Sequence, residues 1–104
     1  MGTIRLSNEG TAVTAVLEGE IDVASMADLQ PSLWGALQTA KVLVVDLKAV
    51  ESIDLSGVQL LFWARAVAGA RAIRFQVREP SASVLSAARV LEQAWLSADP
   101  EQAS

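Results

Sequence analysis

One stretch constrains this chain more than any other: Val42-Leu43-Val44-Val45-Asp46-Leu47-Lys48-Ala49-Val50-Glu51-Ser52-Ile53-Asp54-Leu55-Ser56-Gly57-Val58. It opens as an apolar, β-branched run that reads as a strand and meets an acid at Asp46. A short polar loop is expected next, and Asp-Leu-Ser-Gly then opens a second apolar stretch that reads as a helix. The arrangement gathers a carboxylate, a hydroxyl and free backbone N–H groups at a helix N-terminus. Such a place suits a phosphorylation switch or a partner contact better than it suits catalysis.

The flanking segments give the rest of the layout. Thr3 to Ser7 reads as a short strand, and Asn8-Glu9-Gly10 as a turn. From Ala12 to Glu18, Val13, Ala15 and Leu17 alternate with Thr14, Val16 and Glu18, the pattern of a strand with one buried face. Gly19-Glu20-Ile21-Asp22 is expected to end it. Ser25 with Asp28 resembles a capping box. Met26, Leu29, Leu33 and Leu37 then form the stripe of an amphipathic helix, with Pro31 expected to kink or restart it.

Val42 to Leu47 reads as a central strand covered on both faces. A second helix is expected from about Gly57 to Ala68, with Val58, Leu61 and Phe62 toward the sheet and Gly69 as its C-terminal cap. Ala72 to Val77 alternates as a strand with one wet face. A third helix starts near Pro80-Ser81-Ala82-Ser83, with Val84, Leu85, Ala88 and Leu91 as its stripe and Trp95 as its extension. The order β-β-α-β-α-β-α implies an α/β fold with a mixed, mostly parallel sheet and right-handed crossovers. Residues 1–98 are expected to form a single domain and 99–104 a polar tail.

Composition removes whole classes of chemistry. The 104 residues are 52% hydrophobic, which is enough for a core and too much for a disordered chain. There is no Cys and no His, so thiol nucleophiles, zinc thiolates and the commonest general base are absent. Net charge is −4, and the eight basic residues are scattered, which argues against nucleic-acid binding. The N-terminus lacks a signal-peptide core, and no apolar run reaches the roughly 18 residues of a membrane span. The expectation is a cytoplasmic protein with no direct membrane insertion and no cofactor.

Gly19-Glu20-Ile21-Asp22 and Asp46-Leu47, followed six residues later by Asp54-Leu55-Ser56-Gly57, resemble the STAS domain family in order and spacing. That family includes anti-sigma factor antagonists and the cytoplasmic tails of sulfate transporters. The resemblance spans about residues 3 to 95. It implies a four- to five-stranded sheet packed with three to four helices. It also implies a non-enzymatic module acting through protein–protein binding.

In the antagonists, an anti-sigma factor kinase of the GHKL type phosphorylates the hydroxyl residue directly after the motif's Asp. Here that position is Leu55, which has no hydroxyl, and Ser56 stands one residue on. The family then implies either phosphorylation of Ser56 or an adaptor without the standard switch, and the adaptor is the favoured reading. Two settings fit: a signalling adaptor of the antagonist or chemotaxis type, and the STAS subunit of a bacterial ABC-type lipid-transport complex that binds the ATPase subunit. The expected partner surface comprises Asp22, Asp54, Leu55, Ser56, Gly57, Gln59 and Trp63.

Each of these residues also has a plainer reading. Ser56 is a good helix N-cap, Asp54 and Asp22 are common loop or capping acids, and Trp63 in so apolar a helix can be core. Trp34 and Trp95 lean further toward packing. Asp46 could imitate a receiver-domain phosphoacceptor, but the acidic pair and lysine that chemistry needs are missing. Asp22 with Asp54 as an acid–base pair is the remote enzyme alternative.

Overall fold

The structure, a computed structural model, describes residues 1–90. Its elements are β1 (Thr3–Glu9), β2 (Ala12–Ile21), a 3-10 turn (Val23–Ser25), α1 (Met26–Thr39), β3 (Val42–Ile53), α2 (Leu55–Ala70), β4 (Arg74–Arg78) and α3 (Ala82–Val90). The strands form one sheet in the order β1-β2-β3-β4. β1 and β2 are an antiparallel hairpin, and β2–β3 and β3–β4 are parallel. The α/β fold with a mixed, mostly parallel sheet is therefore present, with four strands and three α-helices among the described residues. Leu91, Trp95 and the 99–104 tail lie outside them.

Alternation along the strands decides which face is buried. Ala15, Val45 and Val77 sit side by side in register, and Val13, Leu17, Leu43 and Leu47 share their face. Leu29, Leu33, Ala36 and Leu37 of α1 and Val58, Leu61, Ala64 and Ala68 of α2 join the same cluster. β3 is not covered equally on both faces. Leu43, Val45 and Leu47 are fully buried, whereas Val44 is half-buried opposite Thr14 and Gln76. Asp46 shares the Val44 face yet is 3% exposed, held by the Lys48 N–H at 3.1 Å, Arg78 at 3.5 Å and the Lys48 ammonium at 3.9 Å. These contacts give Asp46 a structural role.

Both β2 and β3 run further than the alternation suggests. Pairing continues to Ile21↔Ile53 through register shifts between Val16 and Glu18 and between Gly19 and Glu20. Gly19 makes the second shift possible with φ +85, a conformation that side chains resist. Lys48 to Ile53 is thus strand, not loop. β4 pairs β3 only as far as Asp46↔Arg78. Beyond that point α3 takes over the β3 edge, with the Ser81 N–H bonded to Leu47 O and the Ser83 hydroxyl to Glu51 O.

Helix ends also differ in detail. Pro31 lies inside an uninterrupted α1. It is exposed, as is Ala27, whose carbonyl loses its partner and can turn to water. A proline in a helix interior costs about 3 kcal/mol. Full burial of Leu29 and Leu33 on either side contributes about 1.5–3 kcal/mol each, which offsets it. Phe62 is 52% exposed, and Leu60 at 6% takes the inward place expected of it. Gly69 is helical. The left-handed residue that closes α2 is Ala72 at φ 56, where the Ile73 N–H reaches back to Ala68 O at 2.8 Å. A side chain at that φ is strained, so Ala72→Gly raises unfolding stability by about 1 kcal/mol in urea titration. A loss of stability would show that the turn is not strained.

Candidate functional site

The two inner parallel strands end in the same way. Ile21 and Ile53 are paired, and each is followed by an aspartate that caps the next helical segment. Asp54 has extended backbone, and its carboxylate accepts the Gly57 N–H at 3.0 Å. Its own N–H bonds Ile21 O at 3.2 Å, which ties the start of α2 to the end of β2. Asp22 accepts from the Ser25 N–H at 3.2 Å.

The expected capping box at Ser25 and Asp28 does not form, because Asp22 does the capping and Asp28 stays exposed. Ser25 is instead fully buried. Its hydroxyl accepts the Gly2 N–H at 3.0 Å and lies 2.9 Å from Glu20 O and 3.0 Å from Asp22 Oδ1.

Ser56 is likewise not the cap of α2, since Asp54 fills that role two residues earlier. Its hydroxyl has no hydrogen-bond partner among the described residues. Gly57 is buried for a reason of space. A Cβ there would stand 2.6 Å from Ile53 Cγ1 and 2.8 Å from Ile21 O. Gly57 therefore offers no side-chain surface to a partner, and its role is to let α2 close on the ends of both strands.

Adjacent residues of the motif open onto different grooves. Ser56, Gln59 and Trp63 line a groove of about 370 Å³ together with Met26, Gln30 and Leu60. Asp54 and the exposed Leu55 line another of about 560 Å³, whose far wall is Ala82, Ser83, Ser86, Ala87 and Val90 of α3. Asp22 belongs to neither lining. The first groove is the seam between α1 and α2. Along it the Trp34 and Trp63 rings lie 6.1 Å apart at 34°, and Arg71 stacks 5.0 Å over Trp34 while donating to Gln38 at 3.2 Å. The α1 wall was not anticipated as part of the site. Its signal is Met26, Gln30, Trp34 and Gln38 at steps of four, a ridge beside the buried stripe.

Among the described residues no three His, Cys, Asp or Glu side chains are grouped to hold a metal, and no helix is long and apolar enough to cross a membrane. What the site offers is an aromatic, amide-rimmed groove along the first turns of a helix whose N-terminus is capped.

This fold has known counterparts. A family model described as "Mlab, STAS domain" matches residues 4–94, and the chain belongs to the STAS domain family. Among solved structures it resembles an anti-sigma factor antagonist from Mycobacterium paratuberculosis, at TM-score 0.80 and 19% identity over 89% of this chain and 80% of that one. It also resembles the anti-sigma factor antagonist SpoIIAA in its unphosphorylated form, at TM-score 0.75 and 19% identity over 86% and 81%. The STAS domain of a SulP transporter from Vibrio cholerae matches at TM-score 0.62 and 21% identity over 86% and 70%. Among curated proteins none matches the sequence.

Two substitutions test the geometry. Asp54→Ala removes the cap and lowers stability by about 1 kcal/mol in denaturant titration, while Asp54→Asn keeps most of it. Gly57→Ala forces α2 off Ile21 and Ile53 and costs about 1–3 kcal/mol. A neutral Gly57→Ala would contradict the close packing.

Proposed function

We propose that this STAS domain is a non-enzymatic regulatory protein that captures a protein partner through the surface around the N-terminus of α2. Asp22, Asp54, Leu55, Ser56, Gln59 and Trp63 are the contact residues, with Gly57 as the spacer behind them. The observation that carries the reading is the groove along the first turns of α2 that Ser56, Gln59 and Trp63 line together, on a helix whose start Asp54 fixes. The partner class is an anti-sigma factor of the GHKL kinase type or a related signalling protein, met in the cytoplasm.

Leu55 supports an adaptor without the standard phosphoswitch. It occupies the acceptor position and opens toward α3, away from the groove that Ser56 faces. The same absence of a hydroxyl favours a second reading, a standing contact with the ATPase subunit of an ABC-type lipid transporter.

Ser56→Asp places a charge in the groove and lowers partner affinity at least about tenfold while leaving circular dichroism unchanged. Undiminished capture would remove this surface from consideration. Intact-mass spectrometry after incubation with a GHKL-type kinase and ATP is expected to show no added phosphate. Phosphate on Ser56 would replace the adaptor with a switch. Co-purification with an ABC ATPase, and not with a kinase, selects the second reading.

A further inference from the structure

The largest side chain in the wall of the groove that Ser56 and Gln59 line is the Trp63 indole. Trp63 is half-buried and packs against the core, and its ring meets the Trp34 ring at 6.1 Å. Trp34 is 44% exposed and lies outside the groove lining. An indole so open to solvent has little packing to fix its side-chain torsions. Trp34 can brace Trp63 only if something holds Trp34.

Three contacts hold it, and they close on one another. The Arg71 guanidinium lies 5.0 Å over the Trp34 ring, where the negative face of the indole attracts a cation. The same guanidinium donates to Gln38 Oε1 at 3.2 Å. The Gln38 amide turns its other end to Trp34 O, with Nε2 donating at 3.1 Å. Gln38 thus ties the guanidinium to α1 one turn beyond the ring that it covers. A planar cation with donors in a fixed fork can stack and donate at once, which an ammonium cannot.

Arg71 is not part of the groove lining. It follows the last residue of α2, about two turns beyond Trp63. Its side chain reaches the groove only in sequence: Arg71 on Trp34, Trp34 on Trp63, and Trp63 on the space beside Gln59.

We propose that Arg71 is the positioning residue of the capture groove and that, through Trp34, it sets the pose of the Trp63 wall. The proposal rests on the capture reading for its purpose, while the relay from Arg71 to Trp63 stands on its own geometry. It gives the C-terminal end of α2 a part in binding, at the opposite end of the helix from Asp54.

Fluorine NMR of the full chain labelled with 5-fluorotryptophan tests the relay with no partner present. The chain has three tryptophans, and Trp34→Phe, Trp63→Phe and Trp95→Phe assign their resonances. In Arg71→Ala the Trp63 resonance is expected to move by more than its linewidth, with far-UV circular dichroism unchanged. Gln38→Ala moves it less and in the same direction. Arg74→Ala, which removes an exposed charge at the start of β4, leaves it in place. In a Trp34→Leu background Arg71→Ala no longer moves it, because the middle of the relay is gone. Capture of the partner used to measure Ser56→Asp falls about two- to fivefold in Arg71→Ala, the worth of one exposed cation–π contact.

A Trp63 resonance indifferent to both Arg71→Ala and Gln38→Ala overturns the proposal. So does a shift that persists undiminished once Trp34 is replaced, since Arg71 would then act by another route. A resonance that moves while capture keeps its full strength removes Arg71 from the binding role. Failure of the capture reading is a separate result: it shows as capture that survives Ser56→Asp, whereas the fluorine signals report the relay alone.

Discussion

The parallel pairing of β2 with β3 is the contact on which the molecule depends. It carries the register to Ile21↔Ile53, and so sets the two strand ends side by side at one edge of the core. Each end then passes into a helical segment through a capping aspartate. Because Asp54 N–H bonds Ile21 O and Gly57 packs on both isoleucines, α2 is fixed to two strands rather than one. The position of Ser56 in the groove follows from that attachment. Moving the helix start would mean breaking a hydrogen bond, a cap and a close backbone contact together.

Much of this was legible in the sequence, and the parts that were not have physical causes. The order of strands and helices came through because β2 alternates with period two, β3 opens as a continuous apolar run and α1 repeats at steps of three and four. The strand lengths did not, because the register shifts after Val16 and Gly19 break the alternation while pairing continues. Ser56 and Ser25 both looked like caps, since serine and aspartate serve that role about equally well. In each case an aspartate two or three residues upstream does the capping, and the serine is left for the groove or the core. Phe62 was misplaced because α2 is apolar around nearly its whole circumference, so its inward face has no polar contrast to define it. The α1 wall of the groove depends on how two helices lie together, which no local pattern records.

The site divides a short motif between two surfaces. Leu55 and Ser56 are neighbours in the chain, yet one faces α3 and the other faces α1. A change at the first is therefore felt in a different groove from a change at the second. A charge introduced at the first position would stand on the α3 side. Here that side presents an alkyl side chain, and the Ser56 hydroxyl lies among amides and indole.

The stacked seam of α1 and α2 also has an optical consequence. Trp34 and Trp63 are 6.1 Å apart and tilted by 34°, and the chain contains no tyrosine. Two indoles this close, held at a fixed skew, couple their electronic transitions and give a paired band of opposite signs in circular dichroism. Trp63 lines the groove directly, so anything that turns its ring on binding alters that couplet. The molecule thus carries its own chromophore in the wall of that groove, and needs no attached label to report a change there.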